Sequence, residues 1–280
     1  AFLKALRAEI AAAEAGPLTF DTIYFGGGTP SILDPGEVAD LIDRLASRLR
    51  FAGPVEVTLE ANPGTVDSEK LRGFRAAGVD RINLGVQSFQ EENLRMLGRI
   101  HSAREAHAAL SAARRAGFEN IGLDLIYGLP GQSRESLAYD LLVLASLEPD
   151  MVGIGPFLPH PGTPLGGARA GSTLLALKAV ALARLLCPRA NIPSTSALGV
   201  AGGREALFAG LRWGANVVMP DLTPAPYRTL YELYPGKGRG PEPGAFHAHL
   251  LAGLEALGRL PGAGRGDGYR GVPAGGKGVA

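Results

Sequence analysis

Gly26-Gly27-Gly28 stands directly after the apolar run Ile23-Tyr24-Phe25 and is followed by Thr29-Pro30. Three glycines in a row let a backbone approach a ligand closely and turn successive N–H groups toward it; they serve equally as a tight strand-to-helix turn. Farther on, Glu60 opens Glu60-Ala61-Asn62-Pro63-Gly64. A carboxylate there suits ribose hydroxyls or an ammonium group, while Asn62-Pro63-Gly64 is also ordinary cap and turn chemistry. Gln87, within Gly85-Val86-Gln87-Ser88-Phe89, offers an amide. Arg99, next but one to His101, carries a fork that pairs bidentately with a carboxylate; the alternative is a solvated surface position. Asp124 sits in the otherwise apolar Leu123-Asp124-Leu125-Ile126-Tyr127. An unpartnered acid is expensive to bury, so Asp124 is expected to face a mouth and bind something.

Metal chemistry has little to work with. Cys187 is the chain's one cysteine, which rules out a disulfide framework and a multi-cysteine metal site within these residues. Between Leu186 and Pro188 it reads as a small buried hydrophobe near a helix end. His247 and His249, two apart on an expected helix, face different sides and make a poor metal pair. No protein-held metal is expected from the residues present.

The elements that must position these groups follow from periodicity. Apolar β-rich runs are expected as strands over 22–25, 55–59, 81–86, 121–126, 151–155, 191–194 and 216–219. Between them, 37–49, 68–77, 103–116 and 174–186 carry apolar residues at helical spacing, and a further helix is expected over 1–14. Asp34-Pro35 marks a helix start, and Gly78 and Gly117 stand where helices should stop. Strict alternation means parallel strands with helical crossovers, an α/β fold. Seven units of this size suit a barrel whose first strand is missing, with chemistry at the C-terminal strand ends. Those ends are where the five clusters above lie.

Composition narrows the class. With 46% apolar residues, 20% charged and a net charge of +1, the chain suits a soluble core and carries no electrostatic footprint for nucleic acid. No apolar run approaches the length of a membrane span, and the opening residues are not a signal peptide, so a cytoplasmic location is expected. Residues 1–260 are expected as the barrel and 261–280 as a weakly ordered, glycine-rich tail.

Taken in order, the clusters resemble a known family. Ile23–Ser31, Glu60–Thr65, Leu84–Phe89, Gly98-Arg99-Ile100-His101 and Asp124–Gln132 are similar to the oxygen-independent coproporphyrinogen III oxidase and heme-chaperone group of radical S-adenosylmethionine (SAM) proteins. The heme-chaperone branch fits better, because Glu60-Ala61-Asn62-Pro63-Gly64-Thr65 is its wording. The resemblance, carried by residues 20–133, implies that Gly27, Gly28 and Thr29 cradle the methionine end of SAM, with Glu60, Gln87, Arg99 and Asp124 as further contacts. From residue 138 to 271 the text resembles instead the [FeFe]-hydrogenase maturases of the HydE type. Asp150–Phe157, Pro159-His160-Pro161, Ala190–Pro193, Thr195–Gly199, Gly214–Pro220, Leu222-Thr223-Pro224, Tyr227-Arg228, Leu233–Lys237 and Gly264–Asp267 carry it. There Thr195, Ser196, Met219 and Tyr227 would line the barrel cavity, the two hydroxyls suited to a substrate carboxylate; for Met219 the alternative is core packing.

Both families imply a radical SAM barrel. Both also imply a [4Fe–4S] cluster on a Cys-x3-Cys-x2-Cys loop that is absent from these residues, generation of a 5′-deoxyadenosyl radical, and an electron donor such as flavodoxin or ferredoxin. The substrate would be a small molecule or a heme- or iron-bound ligand, with the 1–133 half binding SAM and the 138–260 half forming the cavity. The seam falls in Gly128–Gln132, text common to both families. That points to a chimera joined there, or to a subfamily mixing both signatures. A heme-binding, non-catalytic chaperone and an inactive truncated barrel are the competing readings.

Overall fold

The computed structural model describes residues 1–14, 16–221, 223–228, 230, 234–236, 243–262 and 266–268. In chain order the elements are α1 Phe2–Ala12, β1 Phe20–Phe25, α2 Pro35–Arg48, β2 Phe51–Ala61, α3 Ser68–Ala76, β3 Arg81–Gln87, α4 Glu91–Met96, α5 Ala103–Arg115 and β4 Asn120–Tyr127. They continue with α6 Arg134–Ser146, β5 Met151–Pro156, α7 Thr173–Leu186, β6 Pro193–Ser194, α8 Ser196–Arg212, β7 Val217–Val218, α9 Ala225–Arg228 and α10 Pro243–Ala256. The five longer strands follow the sheet order β1-β2-β3-β4-β5, and β6 pairs with β7 in parallel. This is the α/β alternation that the periodicity predicts. The chain forms two compact units, Ala1–Leu123 and Asp124–Ala280, whose boundary falls inside β4.

In the first unit the helices begin and end where local chemistry says they should. Asp34 and Glu37 close a capping box at the start of α2, with Pro35 in its first turn; Ser102 and Glu105 do the same for α5. Gly78 and Gly117 follow α3 and α5 at φ +103° and +89°, a left-handed conformation that favours glycine as the stop. Between the helices and the sheet lie Leu71 and Phe74 of α3, Leu110 and Ala113 of α5, and Leu59, Ile82 and Leu84 of the strands, all buried. Parallel pairing sets Tyr24 opposite Thr58, Thr58 opposite Arg81 and Glu60 opposite Asn83. Thus the ends of β1, β2 and β3 are staggered by a fixed register.

The second unit packs Val152 and Ile154 of β5 with Leu141 and Leu144 of α6 and Ala176, Ala179, Val180 and Ala183 of α7, again buried. Arg184 acts as a peg at the end of α7. Its guanidinium donates to the carbonyls of Gly214, Cys187, Pro188 and Ala190 and to Asn216 Oδ1, at 2.7–3.3 Å. One guanidinium thereby ties the segment after α7 to the loop before β7.

The sequence reading differs in places. β2 starts at Phe51 and runs through Gly53-Pro54, and β6 and β7 are two residues each rather than four. Helices α4, α6 and α8 were not anticipated, α8 being kinked at Gly203. Of the expected tail, most residues lie outside the described set. Within it, the Gly266 carbonyl accepts a hydrogen bond from Asn191 Nδ2 at 2.7 Å, so that short stretch is docked.

Candidate functional site: three strand ends of the first unit

The β1–β2 register places Glu60 two residues beyond the partner of Tyr24. The Tyr24 hydroxyl reaches it, donating to Glu60 Oε1 at 2.8 Å. The Tyr24 ring in turn lies 2.7 Å from where a Cβ on Gly26 would sit, so a side chain there would push the ring from its place beside Glu60. Gly27 has φ +88°, and a Cβ on the exposed Gly28 would meet nothing within 4 Å. The glycine run is therefore both a turn and an open face of backbone.

Buried Ser31 joins the loop after β1 to the loop after β2. Its hydroxyl accepts from the Asn62 N–H at 3.1 Å and shares a hydrogen bond with the Thr65 hydroxyl. Asn62 Oδ1 accepts from the Gly64 N–H at 2.9 Å, an Asx turn that caps the short helical turn Pro63–Thr65. The ordinary reading of Asn62-Pro63-Gly64 as a turn holds, and it is this turn that follows Glu60.

At the end of β3, Gln87 adopts φ +71°, uncommon for a residue with a side chain. Gly85 makes room for two functional groups. Gln87 Nε2 lies 2.8 Å from where its Cβ would be, and Arg99 Nη2 donates to its carbonyl at 3.0 Å. Arg99 is half-buried and bonded to backbone, so the solvated-surface alternative does not describe it. His101 is 3% exposed, with Nδ1 3.0 Å from Asn62 Oδ1 and Nε2 3.0 Å from the Val86 carbonyl. Burial pushes its imidazole below the ordinary value, and the Arg99 charge pushes the same way. The Val86 carbonyl and the Glu105 and Glu91 carboxylates oppose them. Gly27, Gly28 and Thr29 thus lie on the loop after β1, Glu60 and Gln87 near the ends of β2 and β3, and Arg99 on the α4–α5 connection, bonded to the Gly85 carbonyl of β3. Tyr24 and Ser31 were missed as contributors. Tyr24 reads as an outward strand residue, and only the register reveals its reach to Glu60.

Asp124 opens the second unit. Its carboxyl occupies the space that a Cβ on Gly153 of β5 would need, so Gly153 is the clearance that lets this acid stand on β4. Thr195 caps α8 by accepting from the Leu198 N–H at 3.3 Å, and Ser196 Oγ shares a hydrogen bond of 2.7 Å with the Tyr234 hydroxyl. Met219 and Tyr227 are 52% and 60% exposed, so core packing does not account for Met219. Leu222, Leu233, Lys237, Gly264 and Arg265, which carried part of the family resemblance, lie outside the described residues.

The residues present do not fit an iron–sulfur cluster. Cys187 is buried at the C-cap of α7, and burial pushes its thiol up, away from the thiolate that ligation needs. Among the described residues no group of three His, Cys, Asp or Glu could hold a metal ion, and no helix is long and apolar enough to cross a membrane.

Comparison with known proteins defines the class. Residues 4–142 match the Radical SAM superfamily model, and over that span the chain carries a radical SAM domain. It is 41% identical over 232 residues to the [FeFe] hydrogenase maturase subunit HydE of Thermotoga maritima, covering 82% of this chain and 65% of that protein. It is 46% identical over 128 residues to the heme chaperone HemW of Escherichia coli, covering 46% of this chain and 34% of that one. The chain therefore spans about two thirds of the first relative's length and about a third of the second's. The HydE match is longer than the stretch 138–271, so likeness to that maturase is not confined to the back half. Among solved structures, methylornithine synthase (PylB) superposes with a TM-score of 0.67 at 22% identity over 93% of this chain and 73% of that one, a likeness of fold. Coproporphyrinogen III oxidase (HemN) from Escherichia coli gives 0.51 at 34% identity, over 55% of this chain and 36% of that one. The fold is accordingly that of a (β/α) radical SAM barrel, present in part.

Proposed function

We propose that the first unit is a SAM-binding surface of a radical SAM enzyme. Two observations support the reading: a Glu60 carboxylate held by Tyr24 near the end of β2, and, on the neighbouring β3, a Gln87 amide and an Arg99 guanidinium that share Gly85. In this reading the open backbone of Gly27-Gly28-Thr29 receives the methionine end of SAM and Arg99 pairs with its carboxylate. Glu60 accepts from its ammonium or ribose hydroxyls, and Gln87 orients it. In this superfamily a four-iron cluster would supply the electron for SAM chemistry; ligands for such a cluster are not among these residues.

The whole protein's chemistry is then cofactor maturation or heme-linked work, on a small molecule or an iron- or heme-bound ligand, with electrons from a flavodoxin- or ferredoxin-type donor. The 232-residue likeness to a maturase favours the former, with Thr195, Ser196, Met219 and Tyr227 as lining for a carboxylate-bearing substrate. Isothermal titration of the chain with SAM tests the SAM surface directly. Saturable binding is expected, weakened about tenfold or more by Glu60→Gln, since hydrogen bonds to a charged group contribute about 1.5–3 kcal/mol. No binding by a folded chain would refute it.

A further inference from the structure

Among the described residues, His101 faces two oxygens and no donor. Val86 presents a carbonyl to Nε2, and Asn62 presents Oδ1 to Nδ1, each at 3.0 Å. The Asn62 amide is not free to turn at no cost, because the same Oδ1 accepts the Gly64 N–H at 2.9 Å; turning it would set an NH2 group against that N–H. Only an imidazolium, with a proton on each ring nitrogen, satisfies both oxygens at once. A neutral ring leaves one lone pair against an oxygen. It finds a donor at Nδ1 only if Asn62 turns and gives up Gly64.

We propose that His101 is a proton-operated positioning residue: doubly protonated, it clamps the turn after Glu60 to the end of β3 before Gln87, and losing one proton it turns Asn62 and releases Gly64. The location gives the clamp its consequence. Asn62 is two residues past Glu60 and Val86 is one residue before Gln87, so the ring ties together two of the strand ends that carry the site. The charged groups acting on the ring are Arg99 beside it, Glu91 of α4 and Glu105 of α5. Glu91 also holds the Ala103 N–H and Glu105 the Ser102 N–H, so both carboxylates are anchored while the ring titrates. Because burial opposes the cation, clamping sets in on the acid side of the ordinary histidine value of 6.5. The effect on SAM deepens the proposed function and rests on it; the proton clamp itself does not.

Two-dimensional NMR of the full chain without ligand is the test, following the ring resonances of His101 and the backbone amide of Gly64 from about pH 5 to 8. Both are expected to move with one shared midpoint below 6.5. A Gly64 amide that stays constant while His101 titrates, or a His101 ring that does not titrate in this range, would overturn the clamp. Asn62→Asp keeps the turn but cannot change an oxygen for a donor. His101 should then titrate about one pH unit or more higher, with the Gly64 amide no longer following it, as an adjacent carboxylate favours the cation. An unchanged co-titration in this variant would equally overturn the idea. SAM titration at about pH 5.5 and 7.5 should show about threefold or greater tightening on the acid side in the native chain and none in Asn62→Asp. Equal affinities in the native chain would mean that the clamp does not reach Glu60. Absence of SAM binding at either pH would sink the proposed function, with the clamp decided by the ring and amide titrations, which need no ligand.

Discussion

Arg81, the first residue of β3, and Glu56, midway along β2, form an ion pair of 3.0 Å whose side chains are each only 9% exposed. Glu56 Oε1 also accepts from the Thr58 hydroxyl, whereas Oε2 is buried without a hydrogen-bond partner among the described residues. At 3.0 Å and an effective dielectric of about 20 the attraction is about 5.5 kcal/mol. Desolvating the two ions costs several kcal/mol each, so the intact pair contributes little net stability. Removing one partner is different, because the other charge then remains buried. Glu56→Leu or Arg81→Leu alone should destabilise the first unit by about 3–5 kcal/mol. The double leucine variant, which removes both members of the pair, should recover most of that loss. Amide hydrogen exchange at Ile82 and Leu84 of β3 reads this unit separately. With 1.4 kcal/mol per factor of ten, exchange should quicken by about 150-fold or more in each single variant. The double variant should return to within about tenfold of the native rate. Single variants that exchange within about fivefold of native, or a double variant no slower than either single, would refute the reasoning.

Other consequences are cheaper to check. Tyr24→Phe removes the hydroxyl that holds Glu60 and should weaken SAM binding about 5- to 20-fold without changing the circular dichroism spectrum; unchanged affinity would show that Glu60 needs no such support. Gly153→Ala should cost about 1–3 kcal/mol in urea unfolding, because its Cβ collides with Asp124, whereas Gly28→Ala, with open space, should stay within about 0.5 kcal/mol of native. Equal effects of the two would contradict the assigned clearances. Burial raises the Cys187 thiol above 9.0, so the folded chain should react only slowly with a thiol reagent at neutral pH and fast once unfolded. Linkage gives the sign. The folded thiol holds its proton where the unfolded thiol loses it, so this contribution to stability is full below about pH 9 and declines as pH rises through the folded value, measured as a falling urea midpoint.

Much of the frame could be read from the residues, for identifiable reasons. β1, β3, β4 and β5 were legible as short β-rich apolar runs and β2 only in its second half, beyond Gly53-Pro54, while α2, α3 and α5 were legible because a buried stripe recurs at helical spacing above clear caps. α6 was not, since Tyr139 and Leu142 are apolar yet exposed while Asp140 is buried, so no one-sided pattern survives. α8 hid behind glycines 199, 202, 203 and 210, the third of which kinks it at φ +73°. Two of the others are wanted for close packing. A Cβ on Gly202 would meet Thr173 and Ala206, and one on Gly210 would overlap Ser194. Glycines in a sequence speak for turns; here contact decides otherwise.

The candidate site shows the same division between what residue type announces and what geometry adds. Glu60 and Gln87 announce themselves as polar groups near the ends of apolar strands, Asp124 as an acid within one, and Arg99 as a fork on the segment that follows. The residues that hold them do not: Tyr24, Ser31, His101 and Gly153 would each pass as strand surface, loop, second half of a motif or β-strand filler. Their roles depend on parallel register and on which carbonyl or amide stands within 3 Å, neither of which has a period in the sequence. It follows that substituting the announced residues tests ligand contact, whereas substituting the supporting ones tests whether contact geometry is prepared before binding. If Tyr24→Phe and Glu60→Gln weaken SAM binding to the same degree, and the double variant is no weaker than either, the pair acts as one unit and the preparation is real. Additive losses would mean that Glu60 finds its ligand without help from the strand beside it.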